Sequence, residues 1–146
     1  MSVTIRVHGT PAPQGSKVRT RYGMREASKK VAPWREAVVS QIMRQGLQDT
    51  RLGVPLSVQV TFYFNRPKAH YGTMKGQPYL REDAPMWVAK TPDIDKCLRS
   101  TFDALTQSGL IEDDALIVIV RATQRYVAHG QSEGALIEVM PAGGSR

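Results

Sequence analysis

The sequence is short of cysteine, histidine and uninterrupted apolar stretches: it has one Cys, three His and nowhere eighteen apolar residues in a row. A single thiol, Cys97, can build neither an intrachain disulfide framework nor a cysteine zinc site, and it fits a reducing compartment. His8, His70 and His129 stand far apart without the spacing of a zinc or HNH centre, so no role is assigned to them. Met1 to Val7 lacks a charged leader followed by an apolar block, and no stretch is long enough for a membrane span. The expectation is a cytoplasmic protein with no membrane partner. Acidic residues are also outnumbered, 13 against 20 Lys and Arg, for a formal charge of +7 and a pI near 9.9. Such an excess favours an anionic polymer or surface as partner, with a merely solvated basic surface as the plain alternative.

What is present suits one ordinary domain: 146 residues, 41% of them hydrophobic, enough to bury a core without disulfides. Val3, Ile5 and Val7 alternate with polar neighbours, as in a strand with one buried face. Residues 10–30 open with prolines and glycine and then carry Lys17, Arg19, Arg21, Arg25, Lys29 and Lys30, which predicts a basic loop or ragged arm. Pro33 suits the first turn of a helix whose apolar stripe is Trp34, Ala37, Val38, Ile42 and Met43, with Gly46 as its stop. Leu56 to Phe64 alternates without a break and is the best-marked strand.

From Arg66 to Lys90 no period is found, and a connection of that length is functional or disordered. Its cations and rings, among them Lys68, Tyr71, Lys75, Tyr79, Arg81, Trp87 and Lys90, suit phosphates and exposed bases. Ile94, Cys97, Leu98, Thr101, Phe102 and Leu105 recur at helical spacing before Gly109. Leu116 to Val120 is continuously apolar, which predicts a strand covered on both faces, and Ala135 to Met140 gives a shorter last strand. The pattern is α/β of the α+β kind: a mixed sheet of about four strands covered by two helices, in the order β-α-β-α-β-β, as one domain over 1–146.

The chemistry-bearing stretch is Thr91-Pro92-Asp93-Ile94-Asp95-Lys96, with Glu112-Asp113-Asp114 one helix later. Two residues apart in mid-helix, Asp93 and Asp95 would diverge. Pro92 predicts instead that Asp93 is a half-in N-cap with Asp95 in the first turn, where both lean toward one point. Asp114 joins them only if the chain returns to that end of the helix. Carboxylate oxygens are the hard ligands Mg²⁺ takes in phosphodiesterases, and two of them ~4 Å apart repel by about 4 kcal/mol at an effective dielectric of ~20 unless a cation or proton intervenes. The competing explanation is that Asp at a helix start and Glu-Asp-Asp before a strand are ordinary capping and turn residues. Pro92-Asp93 also suggests PD-(D/E)xK nucleases, but no Glu-x-Lys follows on a suitable strand.

The run Asp93-Ile94-Asp95-Lys96-Cys97-Leu98-Arg99, then Phe102-Asp103-Ala104-Leu105, Gly109 and Asp113-Asp114, resembles the signature of the RusA Holliday junction resolvases of phage and prophage type. Gly9-Thr10-Pro11-Ala12-Pro13 with Lys17, Arg19 and Arg21 is similar to the basic segment after the first strand in phage members. The resemblance implies a homodimeric, Mg²⁺-dependent endodeoxyribonuclease, with Mn²⁺ able to substitute. It implies paired nicks in four-way branched DNA and no organic cofactor. It puts catalytic residues at Asp93, Asp95, Asp114 and Arg99, metal ligands at the three acids, and DNA contacts at Lys17, Arg19, Arg21, Lys96 and Arg99. Lys96 stands where the family has Asn, and Arg99 where it has a functional Lys; Arg keeps the charge but cannot give up a proton. Asp103, one turn beyond Arg99, reads as a local ion-pair partner and Cys97 as a small core residue. Two rivals remain open: a nuclease for flaps or forks, and a non-catalytic basic DNA-binding or architectural protein.

Overall fold

The structure, a computed structural model, describes residues 1–15, 17–20, 23–26, 29–128 and 130–144, with the backbone alone at 17–20 and 23–26. The chain folds as a small mixed α+β domain. Its main sheet is formed by β1 (Val3–His8), β4 (Leu56–Phe64), β7 (Ile117–Tyr126) and β8 (Gly134–Pro141) in the spatial order β1-β8-β4-β7. Strand β8 is antiparallel to both neighbours, and β4 and β7 run parallel. Two hairpins stand apart from it: β2 (Lys17–Thr20) with β3 (Gly23–Glu26), and β5 (Tyr71–Met74) with β6 (Gln77–Leu80).

Helices α1 (Val31–Arg44) and α2 (Ile94–Gln107) cover one face of the sheet. The alternation in β4 decides which face: Leu56, Val58, Val60 and Phe62 are fully buried, while Ser57, Gln59, Thr61 and Tyr63 look outward. Trp34 of α1 packs toward Phe62 with ring centroids 6.4 Å apart, and its Nε1 donates to Thr101 Oγ1 of α2 at 3.1 Å. That buried bond fixes the pairing of the helices, since an indole N–H left dry and unpaired costs about 1–3 kcal/mol. Cys97 is fully buried in this core, as its place on the apolar face predicts. After α2, Gly109 adopts φ +83°, and a Cβ there would collide with the Gln48 carbonyl, so glycine ends the helix as expected.

Three expectations are corrected. The segment 66–90 is not without period: β5 and β6 pair around Lys75-Gly76, whose φ values of 50° and 77° make the turn a twisted hairpin accepts. The arm at 10–30 likewise holds the β2–β3 pair and is not all loop. The apolar run before Val120 is not covered on both faces. Strand β8 returns between β1 and β4, which leaves β7 at the sheet edge with Val118, Ile119 and Val120 exposed by 60%, 44% and 42%. Among the described residues no helix is long and apolar enough to cross a membrane.

Candidate active site

The start of α2 is built as its sequence predicts. Asp93 is the N-cap with extended backbone, and its carbonyl accepts the Cys97 N–H at 3.1 Å. Its carboxylate makes no capping bond, and Asp95 follows in the first turn. Both acids line one cleft of about 610 Å³ with Trp87, Lys90, Thr123 and Gln124. Lys96 Nζ lies 3.8 Å from Asp93 Oδ2, so a cation already stands beside the acids. The pair also reaches the helix underside. Burial, then Asp93 and Asp95, push the Cys97 thiol up to about 12, which keeps it neutral and inert.

Gln124 holds this helix end against the sheet, and nothing in the sequence marked it. Its buried side chain donates through Nε2 to the carbonyls of Pro92 at 3.1 Å and Val88 at 3.4 Å. The backbone adds Val88 N–H to Gln124 O and Tyr126 N–H to Met86 O, so the segment 86–88 lies along the far end of β7 as a short extra strand. Only a tertiary partner gives such a glutamine a purpose; locally it is one polar residue in an alternating strand.

The base of the basic arm docks beside the same acids. Ser100 Oγ donates to Ala12 O at 2.6 Å and Gln14 N–H to Lys96 O at 2.9 Å, while Arg35 reaches Gln14 and lies 3.4 Å from Asp103. Asp103 therefore pairs across the helices with Arg35 and not along α2 with Arg99. Lys17 and Arg19 lie on β2, and Arg21 falls outside the described residues. Lys96 and Arg99 are exposed on α2, one and two turns into the helix.

Asp114 is not brought to Asp93 and Asp95 within the chain. It opens a short 3-10 turn, Asp114–Leu116, ahead of β7, where Asp113 caps the turn by accepting the Ala115 N–H at 2.9 Å. A hydrogen bond with Asp113, then slight burial and the charges of Asp113 and Asp103, hold Asp114 above the usual carboxylate range. Asp113, bonded to the Ala115 N–H and to Asp114, is held below it. Its acidic neighbours are thus Asp113 and Asp103. Among the described residues no three His, Cys, Asp or Glu side chains gather into a group able to hold a metal. The expected return of the chain to the helix start fails because α2 and β7 run in opposite directions along the fold. The loop after Gly109 delivers Asp114 near Asp103, while β7 passes Asp95 only at Ala122–Gln124.

A basic α+β domain with carboxylates gathered at one helix end, and the root of a lysine- and arginine-rich arm docked beside them, has the build of a DNA-cleaving enzyme. The chain belongs to the RusA family: the family model described as Endodeoxyribonuclease RusA matches residues 8–140. Membership makes it an endodeoxyribonuclease of a family that resolves Holliday junctions. No curated protein matches this chain.

Proposed function

We propose that this chain is a divalent-metal-dependent endonuclease that nicks four-way DNA symmetrically as a homodimer. The observation that carries the reading is the cleft where Asp93 and Asp95 face Lys90 and Lys96 beside the root of the basic arm, inside the span the family model matches. The donor set fits a hard cation, because Mg²⁺ is commonly held by one or two carboxylates with water and substrate phosphate completing its shell. Asp93 is available for it, since its carboxylate caps nothing. A divalent ion there, Mg²⁺ or Mn²⁺, supplies Lewis acidity at the scissile phosphate. Lys96 and Arg99 would hold the flanking phosphates, and Lys17, Arg19 and Arg21 would extend the track along the arm.

The dimer is supported by the free edge of β7. Exposed apolar residues on an unpaired strand invite a second strand, and a four-way junction offers two equivalent scissile positions about a two-fold axis. Antiparallel pairing of the uncovered stretches, Ile117 to Thr123, would bring the beginning of one β7 beside Ala122 and Thr123 of the other, short of the end that 86–88 covers. Asp114 of the partner subunit would then approach the cleft holding Asp93 and Asp95, which Asp114 of the same chain does not reach. Incubating the purified protein with four-way, forked and linear DNA, with Mg²⁺ and with EDTA, tests the reading. Paired nicks in four-way DNA with Mg²⁺ only are expected. Equal cutting of forks would make this a flap or fork nuclease, and no nicking at all would leave the architectural alternative.

A further inference from the structure

A second cleft, of about 600 Å³, opens where the β5–β6 hairpin leans over the end of β7. Its walls carry Tyr71, Tyr79, Leu80 and Tyr126 together with Arg66 and Arg125. The volume lies in the range of sites for small organic ligands, and the mixture of rings with two guanidinium groups is unusual for plain solvent-facing surface. Each part of it is held in place. Arg66 donates through Nη1 to Pro85 O at 2.7 Å and stacks 5.2 Å from the centre of the Tyr126 ring, whose edge meets His70 with centroids 4.8 Å apart. Arg125 is partly buried in the wall, its Nε without a hydrogen-bond partner among the described residues.

Tyr79 is the ring a ligand can reach, being nearly half exposed. Its position depends on Gly72, its cross-strand partner: a Cβ at Gly72 would come within 2.5 Å of the phenol end of Tyr79. The glycine lets the ring lie flat across the hairpin. No left-handed backbone is required at Gly72, so its value is the missing side chain alone.

The cleft also adjoins the acids. Gln124 lines the first cleft and Arg125 the second, one residue on in the same strand, with Trp87 bridged to Arg125 between them. The two clefts therefore meet along the end of β7, where Trp87 lines the first and Met86 the second. We propose that this cleft takes one unstacked nucleotide of the substrate, its base laid against Tyr79 and its phosphate on Arg66 and Arg125. This rests on the DNA-cutting reading above. Base-on-ring stacking with guanidinium neutralisation of the backbone is how single-stranded nucleic acid is gripped, and a base at a branch point, where the continuous stack of a duplex is broken on opening, costs less to draw out than one inside a duplex.

The test uses full-length protein carrying Asp95→Asn, to prevent cutting, and four-way DNA with 5-iodouracil placed in turn at each position near the branch. Irradiation is expected to crosslink Tyr79 from one or two neighbouring positions. In binding titrations Tyr79→Ala should weaken affinity about ten-fold, Tyr79→Phe should preserve it, and Gly72→Ala should mimic the alanine variant with the tyrosine still present. Crosslinks mapping outside the cleft, or an alanine variant that binds as tightly as its parent, would overturn the proposal. Nicking by the unsubstituted protein, scored on the same DNA, separates the two ideas. Cutting without a Tyr79 crosslink defeats the cleft alone. A Tyr79 crosslink with ring-dependent binding, but no cutting, upholds the cleft and defeats the nuclease reading.

Discussion

If the metal site is completed across a dimer, two inactive variants should restore one another. Asp114 has Asp103 among its charged neighbours, and Asp103 lies eight residues along α2 from Asp95, about 12 Å at 1.5 Å per residue. Oxygens sharing one Mg²⁺ each sit about 2.1 Å from it, and among the described residues Asp114 joins no group of three such side chains within the chain. Asp95→Asn and Asp114→Asn should each abolish Mg²⁺-dependent nicking alone while keeping or strengthening junction binding, because each removes negative charge near phosphate. Mixed in equal amounts and allowed to exchange, half of the dimers are mixed. In each of those, one site receives both substitutions and the other is intact. Nicking should return to about a quarter of the wild-type rate, with single nicks and no paired ones. Sites made within one chain would leave both sites of every mixed dimer defective, so a mixture that stays inactive refutes the shared site, provided exchange is confirmed with differently tagged chains.

The edge itself can be probed with Ile119→Asp. Burying half-exposed Val118, Ile119 and Val120 on two chains contributes about 1 kcal/mol per side chain, and two opposed aspartates add about 1–3 kcal/mol of repulsion. Sedimentation should show the native protein at twice the 16.2 kDa chain mass at micromolar concentration and the variant as a folded monomer; a variant that remains dimeric places the interface elsewhere. Replacing Lys17, Arg19 and Arg21 with Ala should flatten the log–log salt dependence of junction binding by about 0.9 for each phosphate no longer neutralised, and an unchanged slope would put the DNA on another surface. With its thiol raised from 9.0 to about 12, Cys97 should carry about a thousand-fold less thiolate at pH 8 than an ordinary thiol. Iodoacetamide should then label it only on unfolding, and rapid native labelling would contradict the buried placement. For the same acid the raised folded pKa means that its contribution to stability is complete below pH 9 and is lost as pH climbs toward 12. Gln124→Leu strips the carbonyls of Val88 and Pro92 of their donor and should cost about 1–3 kcal/mol in urea unfolding, with nicking reduced as the helix end loosens; stability equal to wild type would dismiss that role.

Sequence alone determined the local elements and the placing of the first pair of acids at the start of α2. The unbroken alternation from Leu56 to Phe64, the helical spacing from Ile94 to Leu105 and the stop at Gly109 are encoded by nearest-neighbour geometry, so they were legible without a fold. The Pro92-Asp93 step likewise places Asp93 at the cap and Asp95 in the first turn by backbone restriction only. The hairpins at 17–26 and 71–80 leave no hydrophobic period in the sequence because four-residue strands are too short to carry one. Tertiary structure decided where β7 lies. A run such as Ile117 to Val120 reads the same whether neighbours flank it or not, and only the return of β8 between β1 and β4 leaves it at the edge. That topology also sets Asp114 beside Asp103 and Gln124 beneath Pro92, because which side chains meet across elements depends on strand order and direction, quantities that no local pattern carries.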